Sequence, residues 1–229
     1  MKINHPLVKG YVKKVKPFIY SVVIEDAYDR CMLFCRYQEF YESPVKGVRG
    51  QYISFFRFMK KYKDFYKKDN FTYPIDWAGF NIPSEILIKG INKLKLETEY
   101  DEIMGEIISF CQKDTYKESK DLKTKWYLIS ADTPDSKLMD HELAHGMYYT
   151  NKDYKKSCDL FTNNLPKTVY NKIKKELIKL GYLDNKKIID DEIQAYLSTE
   201  LYQTFNTKQV KEYSKKYKSN FKKFKNGFK

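Results

Sequence analysis

The sequence predicts a helix-rich α+β fold with a small β-sheet, and three observations support this prediction. Hydrophobic residues make up 42% of the 229-residue chain and aromatic residues 17%, which is typical of a globular protein. Two short runs, Phe18–Ile24 and Lys125–Ser130, have the composition and length of strands. Most of the remaining chain places apolar residues three or four positions apart, as amphipathic helices do. We expect one domain over 1–229, made of an N-terminal helical and β portion, 1–120, a core, 121–205, and a basic C-terminal tail, 206–229.

The N-terminal portion is expected to open with strands and continue with helices. The strands are predicted at Tyr11–Val15 and Phe18–Ile24. Helical periodicity predicts helices over Asp26–Tyr41, Ile53–Lys67, Glu85–Lys93 and Tyr100–Lys117. The aromatic side chains of the second helix lie among lysines, and we expect them in the core rather than stacked on nucleic-acid bases. Asn70–Ser84 is rich in Pro, Gly and aromatic residues and is expected to form an ordered loop.

The strand Lys125–Ser130 leads directly into a helix. Thr133 is expected to be the N-cap and Pro134 the first helical residue, so that this helix runs to about Tyr149. Beyond it we predict a loop or short helix at Tyr154–Phe161, a helix at Pro166–Leu180, a turn and extended piece at Tyr182–Ile189, and a helix at Asp190–Tyr202. The last of these helices would open with acidic residues, where the helix dipole favours them. The tail Ser214–Lys229 is expected to fray or to lie on the surface.

The charge and apolar patterns limit the partners of the chain. Its net charge of +13 would attract nucleic acid without sequence preference, but 39 of the 43 basic residues are lysines and only four are arginines. Arginine supplies most bidentate base recognition, so specific readout is not favoured. No run of eighteen apolar residues exists, and Phe18–Ile24 is followed by acids rather than a cleavage site. We expect an unexported, cytoplasmic protein that does not cross a membrane.

The four cysteines do not resemble a disulfide framework, which belongs to short secreted chains. Cys31 and Cys35 are spaced i, i+4, so a second metal site is conceivable, but no histidine lies near them in the sequence. We expect buried free thiols.

The strongest motif is His141-Glu142-x-x-His145, which contains two of the three histidines of the chain. On a helix, residues i and i+4 share a face, so both imidazoles can bind one metal ion. Glu142 lies one residue further round and can reach a water bound to that metal. With three His and 14 Glu in the chain, chance gives only about 0.002 such motifs. We expect the preceding strand, Lys125–Ser130, to be an edge strand of the small sheet beside the HExxH helix, where an extended peptide could add as a further strand.

Two histidines leave a catalytic zinc site one protein ligand short. No histidine follows His145, which excludes a motif extended by a third histidine, and His5 lies far upstream. The third ligand is therefore expected to be a carboxylate or a thiolate. The candidates are Glu192, Asp191, Asp190, Glu200, Cys111 and Cys158.

The motif and the downstream segment Asp191-Glu-Ile-Gln-Ala-Tyr196 resemble the gluzincin group of zinc metallopeptidases. The resemblance covers about a quarter of the chain, and it implies that Glu192 is the third ligand of Zn²⁺ beside His141 and His145. It also implies a peptide or protein substrate and makes 121–205 the metallopeptidase core. The 46 residues between His145 and Glu192 exceed the short gap of the simplest members.

The chemistry expected at such a site is hydrolysis by metal-activated water, with Glu142 as the base. Tyr148, Tyr149 and Tyr196 lie near the ligand positions, and Tyr149 and Tyr196 are the candidates for the donor that stabilises the oxyanion. Asp140 is a candidate to orient a ligand histidine. The alternative is a basic protein associated with nucleic acid, in which the HExxH motif is a degenerate or structural metal site.

Overall fold

The computed structural model describes residues 1–51, 53–131, 133, 136–199 and 207–227. The chain divides into two compact units, Met1–Pro134 and Asp135–Lys229. Within the described residues it forms ten helices and five short strands, which confirms the helix-rich α+β class. None of the described helices is long and apolar enough to span a membrane. The divisions after residues 120 and 205 stay predictions.

The first unit contains a five-stranded mixed sheet. Its strands are β1 (Lys2–Asn4), β2 (Lys9–Lys16), β3 (Ile19–Ile24), β4 (Phe80–Pro83) and β5 (Tyr127–Ser130). Their order is β1-β2-β3-β5-β4, and only β3 and β5 run parallel. The prediction that β5 is an edge strand is wrong, because β3 and β4 pair with its two sides. A substrate strand therefore cannot add to β5, since its hydrogen-bonding groups are already used.

Five helices pack in the same unit. They are α1 (Ala27–Glu42), α2 (Phe55–Tyr66), α3 (Tyr73–Asp76), α4 (Ser84–Lys93) and α5 (Glu99–Ser119). The predicted loop Asn70–Ser84 is ordered and contains α3 and β4. Its aromatic residues Tyr73 and Phe80 are fully buried and fix the segment against the core. The aromatic face of α2 enters the core through Phe58 and Tyr62, as expected. The four cysteines are buried free thiols, which confirms that prediction.

The second unit consists of helices within its described residues. They are α6 (Lys137–Thr150), α7 (Lys152–Asn163), α8 (Lys167–Lys179), α9 (Lys186–Thr199) and α10 (Lys208–Gly227). Helix α6 carries the HExxH motif and begins later than predicted. Its N-cap is Ser136 rather than Thr133, because the Ser136 hydroxyl accepts the backbone N–H of Met139. The predicted first residue, Pro134, lies outside the described residues.

Helix α9 begins earlier than the sequence predicts. The side chain of Asn185 accepts the backbone N–H of Lys187, and its carbonyl accepts that of Ile189, so Asn185 starts the helix. The predicted turn and extended piece at Tyr182–Ile189 is therefore wrong from Lys186 onward, where the chain is helical. Asp190, Asp191 and Glu192 lie in the second turn, and the first turn holds no acid. Their carboxylates consequently need partners other than the helix dipole.

The C-terminal segment also differs from expectation, because it is a packed helix rather than a frayed tail. Val210, Tyr217 and Phe221 are buried on one face of α10. The spacing of these residues by seven and then four positions forms an apolar stripe that the many lysines obscure in the sequence. The Tyr217 hydroxyl also lies 3.0 Å from that of Thr162 on α7. Helix α10 is thus part of the core of the second unit.

Tyr217→Ala is expected to lower the free energy of unfolding by about 3–5 kcal/mol, as deletion of a buried aromatic ring does. The ring is 1% exposed and packs in the cluster that includes Val210 and Leu197. Denaturant unfolding measures the change, with the exposed Lys215→Ala as control, which should stay within about 0.5 kcal/mol. Equal effects of the two substitutions would contradict a packed α10.

Candidate metal centre

The two motif histidines lie on one face of α6 and are buried. His141 is 5% exposed and His145 is 2% exposed. Their Nε2 atoms are 3.2 Å apart, and the two rings meet nearly at right angles. The helical spacing of four residues therefore brings two nitrogen ligands together, as the motif predicts.

Glu192 on α9 completes a triangle with these nitrogens. Its Oε1 lies 3.6 Å from His145 Nε2, and its Oε2 lies 3.7 Å from His141 Nε2. Ligand atoms bound to one zinc ion at about 2.0–2.2 Å in tetrahedral geometry lie about 3.3–3.6 Å apart. The observed separations of 3.2, 3.6 and 3.7 Å, of which the last two are to different oxygens of Glu192, lie within about 0.1 Å of this range.

The hydrogen bonding at this triangle also fits a cation. His141 Nδ1 and Glu192 Oε2 are buried and find no hydrogen-bond partner among the described residues. A buried carboxylate oxygen without a hydrogen bond is costly unless it is paired or binds a metal. Within the part of the chain that the structure describes, His141, His145 and Glu192 form the one group of three His, Cys, Asp or Glu side chains that could hold a metal ion.

The other candidate ligands do not belong to this group. Asp190 accepts a hydrogen bond from the Tyr170 hydroxyl at 2.9 Å and forms an ion pair with Lys186. Cys158 contacts Gln194 Oε1 at 3.9 Å through its thiol, and Cys111 is buried in the core of the first unit. Glu200 lies outside the described residues. Glu192 is therefore the carboxylate that the geometry favours.

Asp191 is not one of the candidate ligands of the triangle but contacts one of them, His145. Its Oδ1 lies 2.9 Å from His145 Nδ1, on the side of the ring opposite to the triangle. A carboxylate in this position fixes the orientation of a metal-binding histidine. Asp140, which the motif made a candidate for this role, instead accepts a hydrogen bond from Lys225 Nζ at 2.5 Å. No local pattern could have identified Asp191 for this role, since its contact with His145 joins residues 46 positions apart.

The charges around His145 make the centre attractive to a cation. Burial alone would lower the pKa of His145, but the carboxylates of Asp191, Glu192 and Glu142 outweigh it and raise the pKa to about 10. Three acidic side chains thus surround two buried imidazoles. Such a cluster favours positive charge at its centre.

Glu142 is 4% exposed and lies on α6 between the two histidines in sequence. Its charge contributes to the raised pKa values of both His145 and Tyr196, which places the carboxylate near both side chains. This position is consistent with the expected base, and the catalytic role stays a prediction.

Tyr196 contacts one of the histidines of the triangle. Its ring contacts His141 edge to face, with the centroids 4.6 Å apart, and its hydroxyl lies 3.1 Å from that of Tyr182. Burial, with the charge of Glu192, raises the pKa of Tyr196 to about 12. The Tyr148 hydroxyl instead donates to Asp159. Tyr149 is half-buried on α6, and its role stays a prediction.

Comparison with known proteins found no match to this chain among protein-family models, curated proteins or solved structures.

Proposed function

We propose that this protein is a zinc-dependent metallopeptidase of the gluzincin type, which hydrolyses peptide bonds with an activated water molecule. The observation that carries the proposal is the buried triangle of the His141, His145 and Glu192 side chains, whose facing nitrogen and carboxylate oxygen atoms lie 3.2, 3.6 and 3.7 Å apart. Two imidazole nitrogens and one carboxylate oxygen are the ligands of many catalytic zinc sites. Three protein ligands also leave a fourth position for water and substrate.

Glu142 is the proposed general base. When bound, zinc supplies polarisation of the scissile carbonyl and a water of lowered pKa. Glu142, which is adjacent to His141 in the helix, would act as the base that accepts a proton from the attacking water and returns it to the leaving amine. Its burial keeps this proton transfer away from bulk solvent.

Tyr196 is the proposed donor to the oxyanion. Its hydroxyl is protonated at neutral pH, as that of an ordinary tyrosine is, and the raised pKa of about 12 extends this to alkaline pH, so it can donate a hydrogen bond. The nearby Tyr182 hydroxyl holds it beside His141. A donor held in place before the reaction stabilises developing charge without reorganisation.

A second candidate function, non-specific binding of nucleic acid, is favoured by the solvent-exposed face of α10. Six lysines are exposed on this helix: Lys208, Lys211, Lys215, Lys216, Lys222 and Lys223. Lysines in such a row bind phosphates without reading sequence. This function predicts an affinity for DNA or RNA that falls steeply with salt and falls when these lysines are replaced. An affinity that replacement of the lysines leaves unchanged would rule α10 out as the binding surface.

A peptide screen tests the proposed peptidase directly. Wild-type protein and its Glu142→Gln variant are incubated with a complex peptide mixture, and new termini are identified by mass spectrometry. Cleavages that appear with the wild type and are absent with the variant support the proposal. Identical products from both proteins would attribute the activity to a contaminant or to another site.

A further inference from the structure

A row of polar side chains lies on α9 next to the ligand Glu192, and all but the partly exposed Asp191 are buried. Asp191, Gln194 and Ser198 are spaced by three and four residues, so they share one face of the helix. Gln194 is fully buried and Ser198 is 5% exposed. Tyr154 on α7, also fully buried, faces this row. Buried amides and hydroxyls are costly unless they are hydrogen-bonded, so their arrangement needs an explanation.

These side chains form one continuous chain of hydrogen bonds that ends at a metal ligand. The Tyr154 hydroxyl donates to Gln194 Oε1 at 2.9 Å, and Gln194 Nε2 donates to Asp191 Oδ1 at 3.0 Å. Asp191 Oδ1 in turn lies 2.9 Å from His145 Nδ1. The Ser198 hydroxyl lies 3.3 Å from that of Tyr154 at the other end. We call Tyr154, Gln194 and Asp191 the relay.

The direction of each bond in the relay is fixed by chemistry. A carboxylate oxygen only accepts, so Gln194 must turn its amide nitrogen towards Asp191 and its oxygen towards Tyr154. For the same reason, His145 must carry a proton on Nδ1 to bond Asp191. Nε2 is then the nitrogen left to bind a metal, and Nε2 is the atom that faces His141 and Glu192.

The backbone also holds the two ends of the relay together. Asn151 is both the C-cap of α6 and the N-cap of α7, and its side chain accepts a hydrogen bond from the backbone N–H of Tyr154 at 2.9 Å. The helix that carries His145 and the helix that carries Tyr154 are therefore joined at one residue. Tyr154 is placed relative to His145 by this short connection rather than by a flexible loop.

We propose that Tyr154 and Gln194 are positioning residues, which act through Asp191 to hold His145 with its Nε2 directed at the metal. The inference rests on the proposed metal site but does not depend on peptide hydrolysis. It explains why a tyrosine hydroxyl and a glutamine amide are buried in the core of a helical unit. It also separates Asp191, which orients a ligand, from Glu192, which is a ligand.

Cobalt affinity, measured by titration of full-length, metal-free protein, tests the relay. Asp191→Ala should weaken Co²⁺ binding by about 10- to 100-fold, as loss of an outer partner of a metal ligand does. Tyr154→Phe removes one hydroxyl and should weaken binding by about 2- to 10-fold, the effect of one hydrogen bond. The matched control is Tyr170→Phe, which removes a hydroxyl that donates to the neighbouring Asp190 at 2.9 Å. This control should leave Co²⁺ affinity unchanged.

The double variant Asp191→Ala/Tyr154→Phe distinguishes a relay from separate packing effects. If Tyr154 acts through Asp191, the double variant binds Co²⁺ as weakly as Asp191→Ala and no weaker. Additive losses, or equal losses in Tyr154→Phe and Tyr170→Phe, would overturn the proposal, as would a wild-type protein that binds no metal. Metal binding with this coupling but without peptide cleavage would support the relay and reject the peptidase. Peptide cleavage without this coupling between Tyr154 and Asp191 would support the peptidase and reject the relay.

Discussion

Replacing Glu142 with glutamine is expected to leave the bound metal in place and to lower the rate of peptide hydrolysis by about 10²- to 10⁴-fold, the usual contribution of a general base. Gln has nearly the shape of Glu but cannot accept a proton from water at neutral pH. Glu142 is not one of the three side chains of the triangle, so metal content should not change.

The measurement compares the single-site variant with wild type in both zinc content and turnover of a cleaved peptide. Glu212→Gln, at an exposed position on α10, is the matched control and should behave as wild type. A Glu142→Gln protein that turns over at the wild-type rate would remove Glu142 from its role. Loss of both zinc and activity would instead make Glu142 a ligand or a structural residue.

Replacing Glu192 with alanine is expected to weaken zinc binding by more than the about 10- to 100-fold that outer partners contribute. The substitution removes the oxygen ligand and leaves two imidazoles, which cannot complete a site of three protein ligands. It also removes the buried carboxylate that lies 3.6 Å from His145 Nε2. Hydrolysis should be lost together with the metal.

The neighbouring acid provides the control for Glu192. Asp190→Ala removes a carboxylate from the same turn of α9, but that carboxylate bonds Tyr170 and Lys186 rather than the triangle. Zinc affinity should therefore survive in Asp190→Ala. If Glu192→Ala keeps wild-type zinc affinity, the third ligand lies elsewhere in the chain.

Much of the fold could be predicted because the signals are local. Helices α2 and α5 follow apolar stripes, and β2 and β3 follow runs of strand-forming residues. Strand β4 was missed because its four residues, which end in Pro83, lie in a segment that reads as a loop. The position of β5 inside the sheet was missed because strand order depends on pairing with residues more than 40 positions away.

The packing of helix α10 was missed for a different reason. Its lysines dominate the composition, and the four buried positions that hold it in place are dispersed among them. Whether such a stripe is buried depends on whether another helix faces it. Here α7 and α9 provide that surface, through contacts such as that of Thr162 with Tyr217.

The candidate site was predictable in part for the same reasons. His141 and His145 follow from helical spacing alone, whereas the choice of Glu192 needed a family resemblance and then the tertiary distances. Asp191 and Asp190 are adjacent to Glu192 in sequence, yet the three carboxylates have three different partners. A helix turns about 100° per residue, so neighbouring acids point in different directions. Only the packing of α6, α7 and α8 around α9 decides which acid meets which partner.

The most direct test of the account is the zinc content of the purified wild-type protein, measured by elemental analysis beside His141→Ala. The triangle of His141, His145 and Glu192 predicts about one zinc per chain in the wild type and little or none in the variant. Wild-type protein that carries no zinc and cannot be loaded with it, or a His141→Ala variant that retains a full equivalent, would contradict the central claim.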